Sequence, residues 1–152
     1  MKRKTLARVL ALGMVPAALG ATAAAASAST AQPKAPAAAV TLRDAARQYV
    51  QVNARGQVSM GHQAARFTKV AERGGRYELK YGSGRNAKYL TVSSFGASLG
   101  RNGTQFAPGQ ASRQFRGYTT IDVGRYLLTA NGSRLTEAAQ GRHGPTVNQE
   151  WK

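Results

Sequence analysis

A strand-like phrase that occurs three times is the feature that most limits how this chain can fold. The three copies, each with a tyrosine followed by aliphatic residues, are residues 48–52, 88–92 and 125–130. Their tyrosines, Tyr49, Tyr89 and Tyr126, are 40 and then 37 residues apart. A two-hairpin unit of this length exposes unpaired strand edges and cannot bury both of its faces alone. Three units around an axis can close the sheet and share one core, which predicts a closed all-β domain.

Other apolar positions recur around the three phrases. An aliphatic residue follows a turn nine or ten residues after each tyrosine, at Val58, Leu99 and Leu135. Pairs at the two-residue period of a strand lie near the phrases, at Val40/Leu42, Leu79/Tyr81 and Ile121/Val123. An aromatic residue closes each unit: Phe67 the first, Trp151 the third, and either Phe106 or Phe115 the second. The aromatic residues that we assign to the repeat cores are Tyr49, Phe67, Tyr77, Tyr89, Phe115, Tyr126 and Trp151.

The N-terminal segment has the composition of a secretory signal peptide. Basic residues 2–4 are followed by an uncharged stretch, residues 9–26, and by a small-residue site, Ala26-Ser27-Ala28. A membrane-spanning helix is the alternative, but the strongly apolar part is shorter than the ~20 residues that a span needs. We predict a signal peptide at residues 1–28, an Ala/Pro-rich linker at residues 29–39 and the folded domain at residues 40–152. The mature chain is then extracellular and has no transmembrane segment.

One copy of the repeated phrase carries a resemblance to a known family. Residues 124–130, with the turn glycine and Leu135 that follow, resemble the repeat signature of the fascin-like (actin-crosslinking-like) β-trefoil proteins. Residues 88–92 are a second copy and residues 48–50 a degenerate third. The resemblance covers residues 40–152 and implies an all-β β-trefoil of three repeats, each roughly 37–40 residues long. Actin bundling, which it also implies, does not fit a secreted protein of bacterial type. An irregular β-sandwich with coincidental tyrosines is the alternative fold.

Positive charge dominates the composition. The chain has 22 Lys+Arg against 6 Asp+Glu, a net charge of +16, and removal of residues 1–28 leaves +12. The basic residues are densest at residues 66–88, where tyrosines alternate with them, which predicts an anion-binding face. The predicted ligand-binding residues are Arg66, Lys69, Arg73, Arg76, Tyr77, Lys80, Tyr81, Arg85 and Lys88. A solvated strand surface in an arginine-rich chain is the alternative interpretation.

Few residues are suited to catalysis or to metal binding. The chain has no cysteine, which excludes disulfides, thiol catalysis and Cys-ligated metals. Its six carboxylates are scattered rather than paired as glycoside hydrolysis requires, and His62 and His143 lie in glycine-rich turns. Residues 96–100 match the Gly-x-Ser-x-Gly elbow of hydrolases, but a turn follows where a helix is needed, so we interpret them as a hairpin. We therefore predict no catalytic residue, no metal and no cofactor.

A Gln-x-Trp sequence closes the chain at Gln149-Glu150-Trp151. Ricin-like lectin trefoils carry this form once per repeat, where it is largely structural, so a single copy supports the trefoil more than it supports sugar binding. The aromatic residues left over as possible exposed stacking faces are Tyr81, Phe95, Phe106 and Tyr118.

Together these features predict a secreted, monomeric, non-catalytic binding module. Its positive charge predicts an acidic extracellular ligand, either an acidic polysaccharide, a cell-wall polymer or another polyanion such as DNA. The predicted ligands also include carbohydrates that are not acidic polymers. The alternative is a protein-interaction module, for example a protease inhibitor that presents one trefoil loop.

Overall fold

Eleven antiparallel strands and three short 3₁₀ helices make up the described part of the chain, residues 38–152 of a computed structural model. The predicted signal peptide and nearly all of the predicted linker lie outside the described residues. The strands are β1 Ala39–Val40, β2 Tyr49–Val52, β3 Val58–Gly61, β4 Phe67–Ala71, β5 Tyr77–Tyr81, β6 Lys88–Ser93, β7 Gly96–Gly100, β8 Phe106–Ala111, β9 Thr119–Val123, β10 Tyr126–Asn131 and β11 Arg134–Ala138. The 3₁₀ helices are Arg73–Gly75, Gly84–Asn86 and Val147–Gln149.

The strands fall into three units of four positions, as the repeats predict. In each unit the second and third strands form a hairpin: β2–β3, β6–β7 and β10–β11. The first and fourth positions connect neighbouring units, through the pairs β1–β4, β4–β5, β5–β8 and β8–β9. The twelfth position is a single residue, Trp151, which forms bridges to Asp44 and Thr119. This arrangement is an all-β β-trefoil, which confirms the predicted fold.

The third repeat is offset by one residue from the predicted alignment. The first residue pair of each hairpin is Tyr49–Gly61, Tyr89–Gly100 and Leu127–Ala138. Leu127, and not Tyr126, therefore occupies the position of the other two tyrosines. Tyr126 is 41% exposed, so its assignment to the core is wrong, while Tyr49 and Tyr89 are half-buried. The next residue of each strand is completely buried, at Val50, Leu90 and Leu128.

The prediction of the apolar residue that follows the hairpin turn is also wrong for the second repeat. Val58 pairs with Val52, and Leu135 pairs with Ala130 at the equivalent position. In the second repeat the equivalent pair is Val92–Ala97, whereas Leu99 pairs with Leu90 nearer the open end of the hairpin. Residues 96–100 are strand β7, as the hairpin interpretation predicts.

The three fourth-position aromatic residues meet in the core. Phe67, Phe106 and Trp151 are almost completely buried, and the Trp151 indole N–H donates to the Leu128 carbonyl at 2.9 Å. Phe106 therefore closes the second repeat. The assignment of Phe115 to the core is wrong, because Phe115 is half-buried and packs edge-on against Tyr118 with ring centroids 6.1 Å apart.

The third repeat reaches its aromatic residue by a longer path than the other two. Five residues, 62–66 and 101–105, separate the third and fourth strands of the first two repeats. Twelve residues, 139–150, separate β11 from Trp151. We call residues 139–150 the repeat-3 loop. Because the core fixes where Trp151 must lie, the extra residues can extend only over the surface.

Candidate functional site

The nine predicted ligand-binding residues lie on and around the hairpin of β4 and β5. Each of these strands has five residues, so the two ends of the hairpin are about 13 Å apart. Arg66, Tyr81, Arg85 and Lys88 lie at or beyond one end, and Arg73 and Arg76 lie at the other. The structure therefore does not bring the nine residues together into one face.

A shallow cleft of about 410 Å³ lies at the first end of this hairpin. We call it the Arg66 cleft; its lining residues are Gln51, Val52, Gln63, Ala64, Ala65, Arg66, Tyr81 and Gly82. The Tyr81 ring packs at a tilt against Phe67, with centroids 5.8 Å apart, which fixes its position at the cleft. The Arg66 side chain is exposed.

Hydrogen bonds hold the polar side of the Arg66 cleft in place. The Gln51 amide nitrogen donates to the Ser59 hydroxyl at 3.1 Å, and the backbone N–H of Gln63 donates to the Gln51 amide oxygen at 3.4 Å. The strand register places Lys88 directly opposite Tyr81, and Arg85 lies in the connection between these two residues. The cleft therefore combines an aromatic ring, one ordered amide and the Arg66 guanidinium, and Arg85 and Lys88 lie in the neighbouring part of the chain.

The lining of a depression at the other end of the hairpin has cations but no aromatic ring. Arg73 and Arg76 line a shallow depression with Glu72 and Gln105, and one Arg76 guanidinium nitrogen donates to the Gln105 amide oxygen at 3.2 Å. Lys80 lies opposite Thr68, on the face of the strand away from Tyr81, because side chains alternate along a strand.

Tyr77 and Lys69 contact each other on the side of the barrel. The Lys69 ammonium lies 4.6 Å from the centroid of the Tyr77 ring, within cation–π range. The Tyr77 ring is buried, as its assignment to a repeat core predicts. Burial, together with the nearby Asp122 carboxylate, raises the pKa of the Tyr77 hydroxyl to about 12. Tyr77 is therefore a core residue on which Lys69 rests.

The four aromatic residues predicted as possible stacking faces have different outcomes. Phe95, at the tip of the β6–β7 hairpin, is 89% exposed. Tyr81 and Tyr118 are half-buried. Phe106 is completely buried, so its prediction as an exposed face is wrong; it pairs across the sheet with Tyr77 and fills the core.

Histidine and carboxylate side chains are the groups that a metal site or an acid–base centre would need. Within residues 38–152, no group of three or more His, Asp or Glu side chains is placed to hold a metal ion. His62 and His143 are both exposed on loops. The same part of the chain contains no helix that is long and apolar enough to cross a membrane.

A second cleft, which the sequence analysis missed, lies between the repeat-3 loop and the turn after β8. Its volume is about 270 Å³. We call it the Glu150 cleft; its lining residues are Gln110, Ala111, Ser112, Arg113, Gln114, Thr120, Gln140, His143, Gly144, Pro145 and Glu150. The signal for it was the spacing from Tyr126 to Trp151, 25 residues against 17 or 18 in the other repeats.

Gln149 anchors the repeat-3 loop that forms one wall of this cleft. Its amide nitrogen donates to the Thr129 hydroxyl at 3.2 Å and to the Ala139 carbonyl at 3.1 Å. Its amide oxygen accepts the backbone N–H of Thr146 at 3.2 Å. With Trp151 in the core, both defining residues of the Gln-x-Trp sequence are structural, as predicted.

Comparison with known proteins supports the fold. No protein-family model and no curated protein matches the chain. Among solved structures, the chain is similar to the β-trefoil lectin described as "SeviL bound to asialo-GM1 saccharide". The TM-score is 0.59 at 13% sequence identity, and the match covers 76% of this chain and 95% of that one. At this identity the likeness establishes the fold that the two chains share: a β-trefoil.

Proposed function

We propose that the chain is a secreted, non-catalytic module that binds an acidic polysaccharide at the Arg66 cleft. The observation that carries the proposal is the lining of this cleft, which includes Tyr81, two glutamines and Arg66. A tyrosine ring can stack on the apolar face of a sugar, and amides can bond its hydroxyls. A guanidinium can hold a carboxylate or sulfate with two parallel hydrogen bonds.

The charge of the domain supports an acidic ligand. The chain has a net charge of +16, or +12 once the predicted signal peptide is removed, and Arg85 and Lys88 lie beside the cleft. Where an anionic polymer extends beyond the cleft, the acidic groups of its successive sugar units lie near these cations. Its affinity then depends on salt, because binding releases counterions.

The fold and the N-terminal segment support the remaining parts of the proposal. The similar structure named above holds a saccharide, which shows the same fold in a sugar-bound protein. The predicted signal peptide supports an extracellular location and the predicted bacterial type. The phrase at residues 124–130 supports a fascin-like member of the β-trefoils. Actin bundling is not part of the proposal, since an exported bacterial-type chain meets no actin. We propose that it acts as a monomer.

The positions of two carboxylates support a role without catalysis. Asp44 is buried and accepts the backbone N–H of Gln48 at 2.6 Å, so it holds a turn. Glu150 is buried and accepts the Ser112 hydroxyl at 2.7 Å. Neither lies at the Arg66 cleft, whose lining residues include no acid.

The test is calorimetric titration of the purified protein with polygalacturonate, with neutral dextran as the comparison. We expect binding of polygalacturonate that weakens about tenfold between about 50 and 200 mM salt. Arg66→Gln is expected to lower the affinity about fivefold and Tyr81→Leu about tenfold, or ~1.4 kcal/mol. Tyr81→Leu keeps an apolar contact with Phe67, so the fold is retained.

Arg73→Gln is the matched control, because Arg73 is an exposed arginine at the far end of the same hairpin. Equal losses for Arg66→Gln and Arg73→Gln would show diffuse attraction and would remove the cleft from the proposal. Binding that is indifferent to salt would contradict an acidic ligand. Tighter binding of double-stranded DNA than of polygalacturonate would replace the polysaccharide by a nucleic acid.

One observation favours the second candidate, a protease inhibitor. Phe95 is 89% exposed on a tight hairpin tip, as a side chain offered to a protease pocket would be. An inhibitor would form a stoichiometric complex that resists salt, and residual activity of a chymotrypsin-like protease measures it. Inhibition that Phe95→Ala abolishes would establish this function; no inhibition by the purified protein would eliminate it.

A further inference from the structure

The Glu150 cleft is a feature of one repeat only. It depends on the repeat-3 loop, which has twelve residues where the corresponding loops have five. The loop contributes Gln140, His143 and Pro145 to one wall, and the end of β8 with the following turn contributes the other. The barrel closes with five-residue loops in the other two repeats, so closure does not require a loop of this length. The longer loop is nevertheless anchored at Gln149, and it encloses a polar space.

The charged group deepest in the cleft is the Glu150 carboxylate. Glu150 is only 3% exposed and lines the cleft. One carboxylate oxygen, Oε2, accepts the Ser112 hydroxyl at 2.7 Å. That hydroxyl in turn accepts the backbone N–H groups of Gln114 and Phe115, at 3.1 and 2.8 Å, so its single proton is committed to Glu150.

The other oxygen of Glu150, Oε1, has no hydrogen-bond partner among residues 38–152. Oε1 keeps some accessible surface, and Glu150 is one of the residues that line the cleft. A nearly buried carboxylate with one satisfied oxygen gains most from a ligand that brings a charged donor. An ammonium group is the donor of that kind.

The rim of the cleft has the opposite charge. Arg113 lines the cleft, is exposed and carries a positive charge. The amide side chains of Gln110, Gln114 and Gln140 are exposed and also line the cleft, where they can bond hydroxyl groups. A ligand that matches these groups has an ammonium group for the buried carboxylate, an anionic group for the exposed guanidinium, and hydroxyls for the amides.

We propose that the Glu150 cleft binds a single amino sugar that also carries an anionic group. Its ammonium lies on Glu150 and its anionic group lies toward Arg113. The volume of about 270 Å³ is at the small end of ligand pockets, so it holds one sugar unit rather than a chain. The sugar class rests on the proposed function, whereas the pairing of charges rests on this cleft alone.

Two other ligands fit the cleft less well. A neutral sugar would meet the amides but would leave the carboxylate without a charged donor. A polyanion would bring like charge toward Glu150, which repels it. The Glu150 cleft is therefore complementary to a different ligand from that of the Arg66 cleft.

The test uses four matched sugars: glucosamine 6-phosphate, glucosamine, glucose 6-phosphate and glucose. Titration of the purified protein, followed by NMR of the Gln side-chain amides, measures each affinity. Glucosamine 6-phosphate is expected to bind at least tenfold more tightly than glucose 6-phosphate, which lacks the ammonium. It is expected to bind at least fivefold more tightly than glucosamine, which lacks the phosphate.

Variants assign the two ends of the ligand. Glu150→Gln keeps an acceptor for Ser112 and is expected to abolish the preference for glucosamine 6-phosphate over glucose 6-phosphate. Arg113→Gln is expected to abolish the preference over glucosamine. The matched controls are Glu137→Gln on β11 and Arg116→Gln in the turn after β8, which lie outside the cleft lining and are expected to leave both preferences unchanged.

Several outcomes would overturn the inference. Equal binding of the two phosphates by the unaltered protein would remove the ammonium contact, and failure of all four sugars would remove the site. If Glu150→Gln unfolds the protein, Arg113→Gln still tests the pairing of charges, and its failure to change the preference would contradict it. Polygalacturonate binding by the same sample tests the proposed function separately, so either can fail without the other.

Discussion

The Arg66 cleft and the Glu150 cleft show two ways in which one β-trefoil can build a binding surface. The Arg66 cleft has loops of minimal length, an aromatic ring supported from below by Phe67, and exposed cations. The Glu150 cleft has a loop that is seven residues longer than its counterparts and a carboxylate that is almost completely buried. Charge is displayed on the surface in the first cleft and enclosed in the second.

The difference follows from how each cleft is attached to the core. Glu150 lies between Gln149, which holds the repeat-3 loop, and Trp151, which fills a fourth-position core site. Arg66 precedes the equivalent residue Phe67, but its side chain extends into solvent. Changes near the Glu150 cleft should therefore affect stability, and changes in the Arg66 cleft should affect affinity alone.

The largest expected effect is on the core anchor of the Glu150 cleft. Trp151→Ala is expected to lower the free energy of unfolding by about 3–5 kcal/mol, because it leaves a cavity and frees the Leu128 carbonyl. Phe115→Ala, at a half-buried aromatic residue outside the core, is expected to lower it by about 1 kcal/mol. Urea denaturation measures both, and similar losses would contradict the assignment of Trp151 as the third core aromatic.

A second prediction separates the two clefts through Gln149. Gln149→Ala removes three hydrogen bonds and is expected to lower the free energy of unfolding by about 1–3 kcal/mol. It should also weaken glucosamine 6-phosphate binding and leave polygalacturonate binding unchanged, because it loosens only the repeat-3 loop. Gln105→Ala, at an exposed amide that contacts Arg76, is the control and should change neither quantity. Equal weakening of both ligands would show that the clefts are not independent.

A third and smaller effect concerns the cations around the Arg66 cleft. Arg85→Gln is expected to weaken polygalacturonate binding about threefold, or ~0.7 kcal/mol, because Arg85 lies in the connection beside Tyr81. Arg76→Gln, at the other end of the hairpin, is expected to have no effect on this affinity. Titration at constant salt compares the two variants. A larger loss for Arg76→Gln would place the ligand on the opposite end of the hairpin.

The smallest effect is a dependence of stability on pH that involves neither cleft. Burial raises the pKa of the Asp44 carboxyl above its usual value of 3.8, although backbone N–H groups oppose the shift. The folded state then holds this proton more tightly than the unfolded state, so Asp44 contributes stability below pH 3.8 that is lost as the pH rises through its folded pKa. Asp44→Asn keeps an acceptor for Gln48 and should remove this decline. Urea denaturation at a series of acidic pH values measures it, and an unchanged decline in the variant would contradict the prediction.

The sequence predicts the trefoil because three units that share one core place their apolar core residues at similar intervals along the chain. The register of the third repeat could not be predicted, since Tyr126, Leu127 and Leu128 offer adjacent apolar residues and only strand pairing selects among them. The choice between Phe106 and Phe115 was open for the same reason. Both follow Tyr89 at plausible distances, and the cross-sheet pair with Tyr77 decides it.

The candidate sites were predictable to different extents. The density of basic residues pointed to the β4–β5 hairpin, and of the nine predicted ligand-binding residues Arg66 and Tyr81 line one cleft. Sequence spacing could not show that Arg73 and Arg76 lie at the opposite end. The bounds of β4 and β5 decide which residues of the hairpin come together, and only the structure gives these bounds. Glu150 gave no signal as a lone acid, and only the irregular distance to Trp151 marked the loop that encloses it.

The most direct test of two separate clefts is a crossed titration of the Arg66→Gln and Glu150→Gln variants. Each variant is titrated with polygalacturonate and with glucosamine 6-phosphate under identical conditions. We predict that Arg66→Gln weakens only the binding of polygalacturonate and that Glu150→Gln weakens only the binding of glucosamine 6-phosphate. A loss of both ligands in either variant, or of neither ligand in both, would contradict the account.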